Sequence, residues 1–459
     1  MSMDAVLNQI DSDLDQSLER LFALLRIESI STDPAYAKPC IEAADWLVAQ
    51  LQEIGLDASR RDTLGHPMVV AHGGEGGPHL LFYGHYDVQP VDPLDLWKAP
   101  PFAPAIQDTA KGQVIVARGA GDDKGQLMTF VEALRAWKAV HGGFPMRITV
   151  LFEGEEETGS PSLLPFLREN ADELRADLAL VCDTGMWNRD TPAIVTMLRG
   201  LASEEVTIQA ADRDLHSGMY GGPAMNPIRI LTRLLADLHD PSGRVTLPGF
   251  YEGVPDLAPD IKAQWDALDF DTAGFLGDVG LTTPAGEQDY SALEQIWSRP
   301  TCEVNGIWGG YTGKGFKTVL PSEAHAKISF RLVGDQDPVR ILETFRSYIT
   351  NNLPPDCSAT FARKEPAGAT VLPVDTPAFT RAHAALGEEW PNPAVFAGCG
   401  GSIPIVGHFK EILGMDSMLI GFGLEDDAIH SPNEKYNLSS FHKGTRSWAR
   451  VIAALQGDE

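Results

Sequence analysis

Apolar positions near the start of the chain recur every three or four residues. Val6, Leu7, Ile10, Leu14, Leu18, Leu21, Phe22 and Leu25 predict one amphipathic helix over 4–26. Ile41, Leu47, Val48, Leu51 and Ile54 predict a second over 41–54, stopped by Gly55. The pattern then changes to short runs that stay apolar on both faces: MVVAH (68–72), LLFYG (80–84), RITVLF (147–152) and LALVC (178–182), with a helical stretch over 125–140. Such runs, alternating with helices, belong to a covered, mostly parallel sheet. Beyond Asp183 the period becomes two: LASEEVTIQA (201–210) and AHAKISFRLV (324–333) alternate as half-exposed antiparallel strands do. A helix over 227–238 and an acidic segment with Pro and Gly over 240–300 lie between them. Strand-like SMLIGFG (417–423) and a helix over 442–455 close the chain. The expected architecture is α/β: a mostly parallel-sheet domain built from 1–193 and 383–459, with an α+β domain inserted at 194–382.

The 459 residues are 43% apolar and 22% charged, ordinary for a globular protein, which excludes collagenous, mucin-like and wholly disordered readings. Asp and Glu number 64 against 36 Lys and Arg, a net charge of −28. A surface so negative repels phosphate and anionic lipid, so no nucleic-acid or membrane partner is expected. No run reaches the ~18 apolar residues of a membrane span. The N-terminus, MSMDAVLNQIDSDLDQ, lacks the basic start and apolar stretch of a signal peptide. Five scattered cysteines (Cys40, Cys182, Cys302, Cys357, Cys399), without a CxxC pair, read as reduced thiols, so the expected compartment is cytoplasmic.

Familiar catalytic signatures are missing: no HExxH, no Walker A, and Gly400-Gly401-Ser402-Ile403-Pro404 does not close as a nucleophile elbow. What remains is a series of metal-type side chains following apolar runs. His85 and Asp87 stand two apart in GHYDV, where an extended chain points both the same way. Asp122 and Asp123 lie in ARGAGDDKG, before a helix; by itself that also describes an N-terminal cap. FEGEEETGS packs Glu153, Glu155, Glu156 and Glu157 together, acids that either splay into solvent or are gathered by a cation. Asp183 ends LALVC, and His430 lies in AIHSPNEK after SMLIGFG. Five putative strands thus each end in an acid or His, which in a parallel sheet is one rim. Two His and three carboxylates suit two divalent ions roughly 3.5–4 Å apart, one carboxylate bridging, with a net charge of about +1. Oxygen and imidazole donors without thiolate favour Zn2+, with Mn2+ or Co2+ as alternatives.

GHYDV, ARGAGDDKG, FEGEEETGS, Asp183 and AIHSPNEK together resemble the five metal-site blocks of the M20 metallopeptidases. DLHSGMYGG, KTVLP and ISFRLV narrow the likeness to the carnosinase-like cytosolic dipeptidase branch. The resemblance implies a zinc-peptidase-like catalytic domain with an inserted lid and dimerisation domain. It implies that Asp122 bridges two ions, that His85 and Asp183 hold one, and that Glu157 and His430 hold the other. It further implies that Glu156 is general base and acid, that Asp87 orients His85, and that the Asp122–Asp123 peptide is cis. His216 would stabilise the oxyanion from the partner subunit of a homodimer. Arg331 would grip the substrate carboxylate, with Thr318 and Ser402 as further contacts. The implied activity is hydrolysis of dipeptides or short peptides. N-acyl amino acid deacylation is the alternative within the family, and a non-catalytic metal or peptide binder is the alternative outside it.

Overall fold

The computed structural model describes residues 2–363, 366–401 and 403–457; Ser402 lies outside them. The chain forms two compact units, one of Met1–Thr196, Leu372–Ala397 and His408–Glu459, the other of Met197–Val371 and Gly398–Gly407.

The first unit is built on a mixed sheet. Its centre is four parallel neighbours, Arg147–Glu153, His79–His85, Leu178–Val181 and Asp416–Ile420. Leu80, Leu81, Phe82, Tyr83, Val150 and Leu180 are buried alike, so the apolar runs lack alternation because both faces are covered. The Lys124–His141 helix covers one face, where Phe82 stacks on Phe130 with ring centroids 3.7 Å apart. Trp448, from the closing helix Leu438–Gln456, meets both rings edge-on.

The expectation of a mostly parallel sheet holds for this centre only. Met68–Gly73 pairs antiparallel with Arg147–Glu153, and Asp57–Arg61 antiparallel with Met68–Gly73. The connection from Met68–Gly73 to His79–His85 is too short to carry a crossover helix, so those two strands run in opposite directions on either side of Arg147–Glu153. The single helix expected over 4–26 is two, Met3–Ser12 and Leu14–Leu25. They part at Asp13, whose carboxylate takes the Arg20 guanidinium, itself bonded to buried Glu132. Short polar side chains such as Asp favour this kind of break, and the apolar stripe survives it because both helices pack on Lys124–His141.

In the second unit Thr301–Gly309, Glu323–Leu332, Gly200–Gln209 and Ser358–Arg363 form an antiparallel sheet in that order. Alternate residues Ala202, Val206, Ile208, Ala326, Ile328 and Phe330 bury one face, packed with Leu231, Leu234 and Phe345 of the helices Pro227–Ala236 and Pro338–Asn351. The acidic segment 240–300 carries short helices at Pro259–Asp266, Thr272–Gly277 and Ala292–Trp297. Its buried Glu287 is neutralised by Arg299 at 2.6 Å. No helix among the described residues is long and apolar enough to cross a membrane.

Candidate metal centre

His85 ends its strand fully buried. Its Nδ1 lies 3.1 Å from the Asp87 carbonyl and 3.3 Å from Asp87 Oδ1. Both are acceptors, so Nδ1 carries a proton and Nε2 points the other way. There it meets Asp122 Oδ1 at 3.0 Å and Asp183 Oδ2 at 3.9 Å. The other Asp122 oxygen, Oδ2, lies 2.9 Å from His430 Nε2, which is 3.2 Å from Glu157 Oε2. One carboxylate therefore stands between two imidazoles, each with a second carboxylate beside it.

The loop carrying Asp122 and the first turn of the helix after it need their glycines. Gly119 has φ 79°, and a Cβ there would stand 2.6 Å from Val88; a Cβ on Gly125 would lie 2.0 Å from the Ala120 carbonyl oxygen. The Asp122–Asp123 peptide is cis, as the resemblance implies. One expectation is corrected here. Asp122 does not follow a strand of the central sheet; it comes in from the loop between a small separate sheet, to which Gly112–Val116 belongs, and the Lys124–His141 helix. The rim of the central sheet is met by the others, which follow His79–His85, Arg147–Glu153, Leu178–Val181 and Asp416–Ile420.

The acids of FEGEEETGS form no solvated run. Buried Glu153 accepts from Tyr83 Oη at 2.5 Å, and Glu155 accepts the backbone N–H groups of His66 (2.8 Å) and Ser162 (2.9 Å). Glu156 and Glu157 are placed by Asp87, whose Oδ1 accepts from Glu156 N (3.2 Å) and Oδ2 from Glu157 N (3.1 Å). Ser31 Oγ also donates to Asp87 Oδ2 at 2.6 Å, and Gln89 Nε2 to Glu157 Oε2 at 2.7 Å. Asp87 thus fixes one imidazole and both glutamates at once. Ser31 and Gln89 have no motif of their own in the sequence. Glu434 was written in AIHSPNEK, yet only the fold shows that its carboxylate accepts the Asp122 N–H, at 3.1 Å.

The donor set fits divalent ions. His85, Asp122 and Asp183 offer ligand atoms within 4.8 Å of one another, and so do Asp122, Glu157 and His430. Donors ~2.0–2.2 Å from a tetrahedral ion stand roughly 3.3–3.6 Å apart, and the contacts of 2.9–3.9 Å bracket that span. Protonation tells the same story. Burial disfavours charge on His85, but hydrogen bonds to Asp122 and Asp87 outweigh it and raise its pKa well above the usual value. Hydrogen bonds to Asp122 and then Glu157 push His430 up to about 10. Burial would raise Asp122, yet bonds from His430 and His85 hold it below the usual range. Burial raises Asp183 and Glu156, with Asp122 repelling both. The cluster thus draws in positive charge, protons or cations, to neutralise its carboxylates. Two such sets sharing Asp122 make a dinuclear centre.

The other expected residues lie in the second unit. His216 is exposed in the short strand Leu215–His216, and its Nδ1 accepts from Gly218 N at 3.0 Å, which leaves the proton on Nε2. The Thr318 carbonyl accepts from Ser217 N at 3.0 Å, bracing the same turn. Arg331 lies opposite Thr301 and Leu201 in its sheet, on the face away from buried Phe330 and Leu332. Arg199 was not anticipated. Burial, and then the nearby Arg331 charge, lowers its pKa to about 10, so two guanidiniums share this region.

The model of peptidase family M20/M25/M40 matches residues 81–454. Over 99% of this chain and 98% of the relative, the sequence is 28% identical to a Cys-Gly metallodipeptidase of Schizosaccharomyces pombe. The solved structure of the dipeptidase Dug1p from Saccharomyces cerevisiae is similar with TM-score 0.78 and 27% identity, over 99% of this chain and 98% of that one. That of an M20 family metallo-carboxypeptidase from Sulfolobus solfataricus is similar with TM-score 0.79 and 29% identity, over 96% and 99%.

Proposed function

The chain belongs to peptidase family M20/M25/M40, in its dipeptidase branch, and from that premise we propose that it hydrolyses dipeptides or short peptides with a free C-terminal carboxylate. The observation that carries this reading is the position of Asp122 between His85 and His430, beside a glutamate pair anchored on Asp87. Two divalent cations held by His85, Asp122, Asp183, Glu157 and His430 would acidify a water molecule and polarise the scissile carbonyl. Zn2+ is the first choice, with Mn2+ and Co2+ as alternatives.

Glu156 takes the proton of the attacking water and later returns it to the leaving amine. Burial, which raises its pKa, equips it for both directions. Asp87 keeps Glu156 and Glu157 in register through their backbone N–H groups and holds the His85 tautomer. His216 offers its Nε2–H to the oxyanion, and Arg331, with Arg199 adding positive potential, takes the C-terminal carboxylate. Thr318 and Ser402 are assigned as further carboxylate contacts. The lid role falls to 194–382, the catalytic role to 1–193 and 383–459.

The protein acts as a homodimer in which His216 serves the partner's centre. In support, Thr301–Gly309 is an edge strand that leaves Val304, Ile307 and Trp308 exposed, and unpaired edges favour strand addition. The described cysteines are all free thiols, which supports a reducing, cytoplasmic setting.

A panel of dipeptides and N-acetyl amino acids, assayed with metal-loaded protein, tests the substrate class. Dipeptides such as Cys-Gly, on which the S. pombe relative's name rests, are expected to be cleaved; turnover confined to N-acetyl amino acids would make the protein a deacylase. His216→Ala is expected to lower kcat roughly 10²–10³-fold. Mixed after subunit exchange with inactive Glu156→Ala, it should recover part of the activity. No recovery in proven heterodimers would place His216 with its own chain's centre.

A further inference from the structure

Asp122 and His430 are carried by loops, not by the strands of the central sheet. The second loop includes Ala428, His430 and Asn433 at φ 55°, 58° and 65°, a left-handed conformation that residues with a Cβ disfavour. Such a loop keeps its shape only where other groups hold it. Asn433 supplies one tie, accepting from Lys98 N at 2.8 Å and donating to the Leu96 carbonyl at 2.9 Å.

Glu434 supplies a larger one. Its side chain is fully buried, and both oxygens are filled by donors of the Asp122 loop. Oε1 accepts from Gly121 N at 2.8 Å and Asp122 N at 3.1 Å; Oε2 accepts from Gly119 N at 3.0 Å and Arg118 Nη1 at 2.8 Å. Arg118, as buried, donates onward to the Pro90 carbonyl at 2.8 Å and the Ser431 carbonyl at 3.5 Å. One carboxylate therefore joins the loop of the shared donor to the loop of His430.

We infer that Glu434 is a positioning residue that sets the span between Asp122 and His430, and thereby the affinity of the centre for its second ion. The inference rests on the dinuclear reading and deepens it. Asp122 belongs to both sets, but in the first its partners His85 and Asp183 stand at strand ends, whereas in the second both Asp122 and His430 lie on the clamped loops, so the Asp122–Glu157–His430 set depends on the clamp most. A glutamine at 434 keeps the shape but turns an N–H donor toward two of the four donors, whichever way its amide faces. A group that merely stabilised the fold would leave ion binding by the folded protein unchanged.

The test titrates Zn2+ by calorimetry into metal-stripped, full-length protein, with the folded fraction measured by circular dichroism. Wild type is expected to take two ions. Glu434→Gln is expected to bind the second ion roughly 10–100-fold more weakly and the first with a smaller loss, and Glu434→Asp to fall between wild type and Glu434→Gln. Glu132→Gln is the control, because Glu132 is a buried carboxylate outside the centre that holds Ser17 at 3.0 Å and Arg20 at 2.8 Å. It should lower the melting temperature and keep both ions. Wild-type affinity for both ions in Glu434→Gln overturns the inference, as does an equal loss of the second ion in Glu132→Gln. Should Glu434→Gln not fold, Glu434→Asp decides: weaker second-ion binding supports the clamp, and unchanged binding overturns it. A wild type that takes two ions but cleaves no peptide would overturn the functional reading alone.

Discussion

Glu156→Gln is expected to lower turnover roughly 10²–10⁴-fold while metal content stays at the wild-type level. The amide cannot take a proton from water, yet it matches the carboxylate in size. The backbone N–H of residue 156, which bonds Asp87 at 3.2 Å, is untouched by the change, so His85 and Glu157 keep their places. Glu156 is also absent from both donor sets, which is why its loss should spare ion binding. Kinetics and elemental analysis on one preparation check the pair of outcomes. Substantial activity in Glu156→Ala would overturn the base assignment, and loss of the ions in Glu156→Gln would make Glu156 a ligand. The neighbouring substitution discriminates further: Glu157→Gln, on a donor 3.2 Å from His430, should lose both ion and activity.

Stripping the protein with a chelator is expected to abolish hydrolysis, and Zn2+, Mn2+ or Co2+ to restore it. Asp122, Asp183 and Glu157 are drawn together around two imidazoles, and without cations their mutual repulsion is relieved only by protons. The stripped protein should therefore also melt at a lower temperature, since ions that bind only the folded chain add to its stability by mass action. Activity, ion content and melting temperature should return together on titration. Full activity with no bound metal, verified by elemental analysis, would remove the basis of the proposed reaction.

Much of this was legible in the linear order of residues, for identifiable reasons. Strand and helix periods follow from side-chain direction, so the two-sided apolar runs announced a covered sheet and the alternation in 201–210 and 324–333 announced a half-exposed one. Metal donors were readable because His, Asp and Glu beside glycines and strand ends are chemically conspicuous. Strand direction was less legible. Residues 68–72 read like their parallel neighbours, and only the short link to 79–85 shows why they run the other way. The break at Asp13 was hidden because an apolar stripe continues across it.

The sequence by itself determined the alternation of elements, the inventory of donors and the resemblance that assigned them, since each is a property of residue type and local spacing. Only the tertiary structure decided which atoms meet. It set the two oxygens of Asp122 against His85 and His430, made Asp87 an anchor for a glutamate pair about seventy positions away, and put Glu434 behind the loop of the shared donor. The reason is physical: hydrogen bonds and ion binding depend on separations of a few ångströms. Chain spacing does not encode such separations between segments that come together only when the apolar core closes.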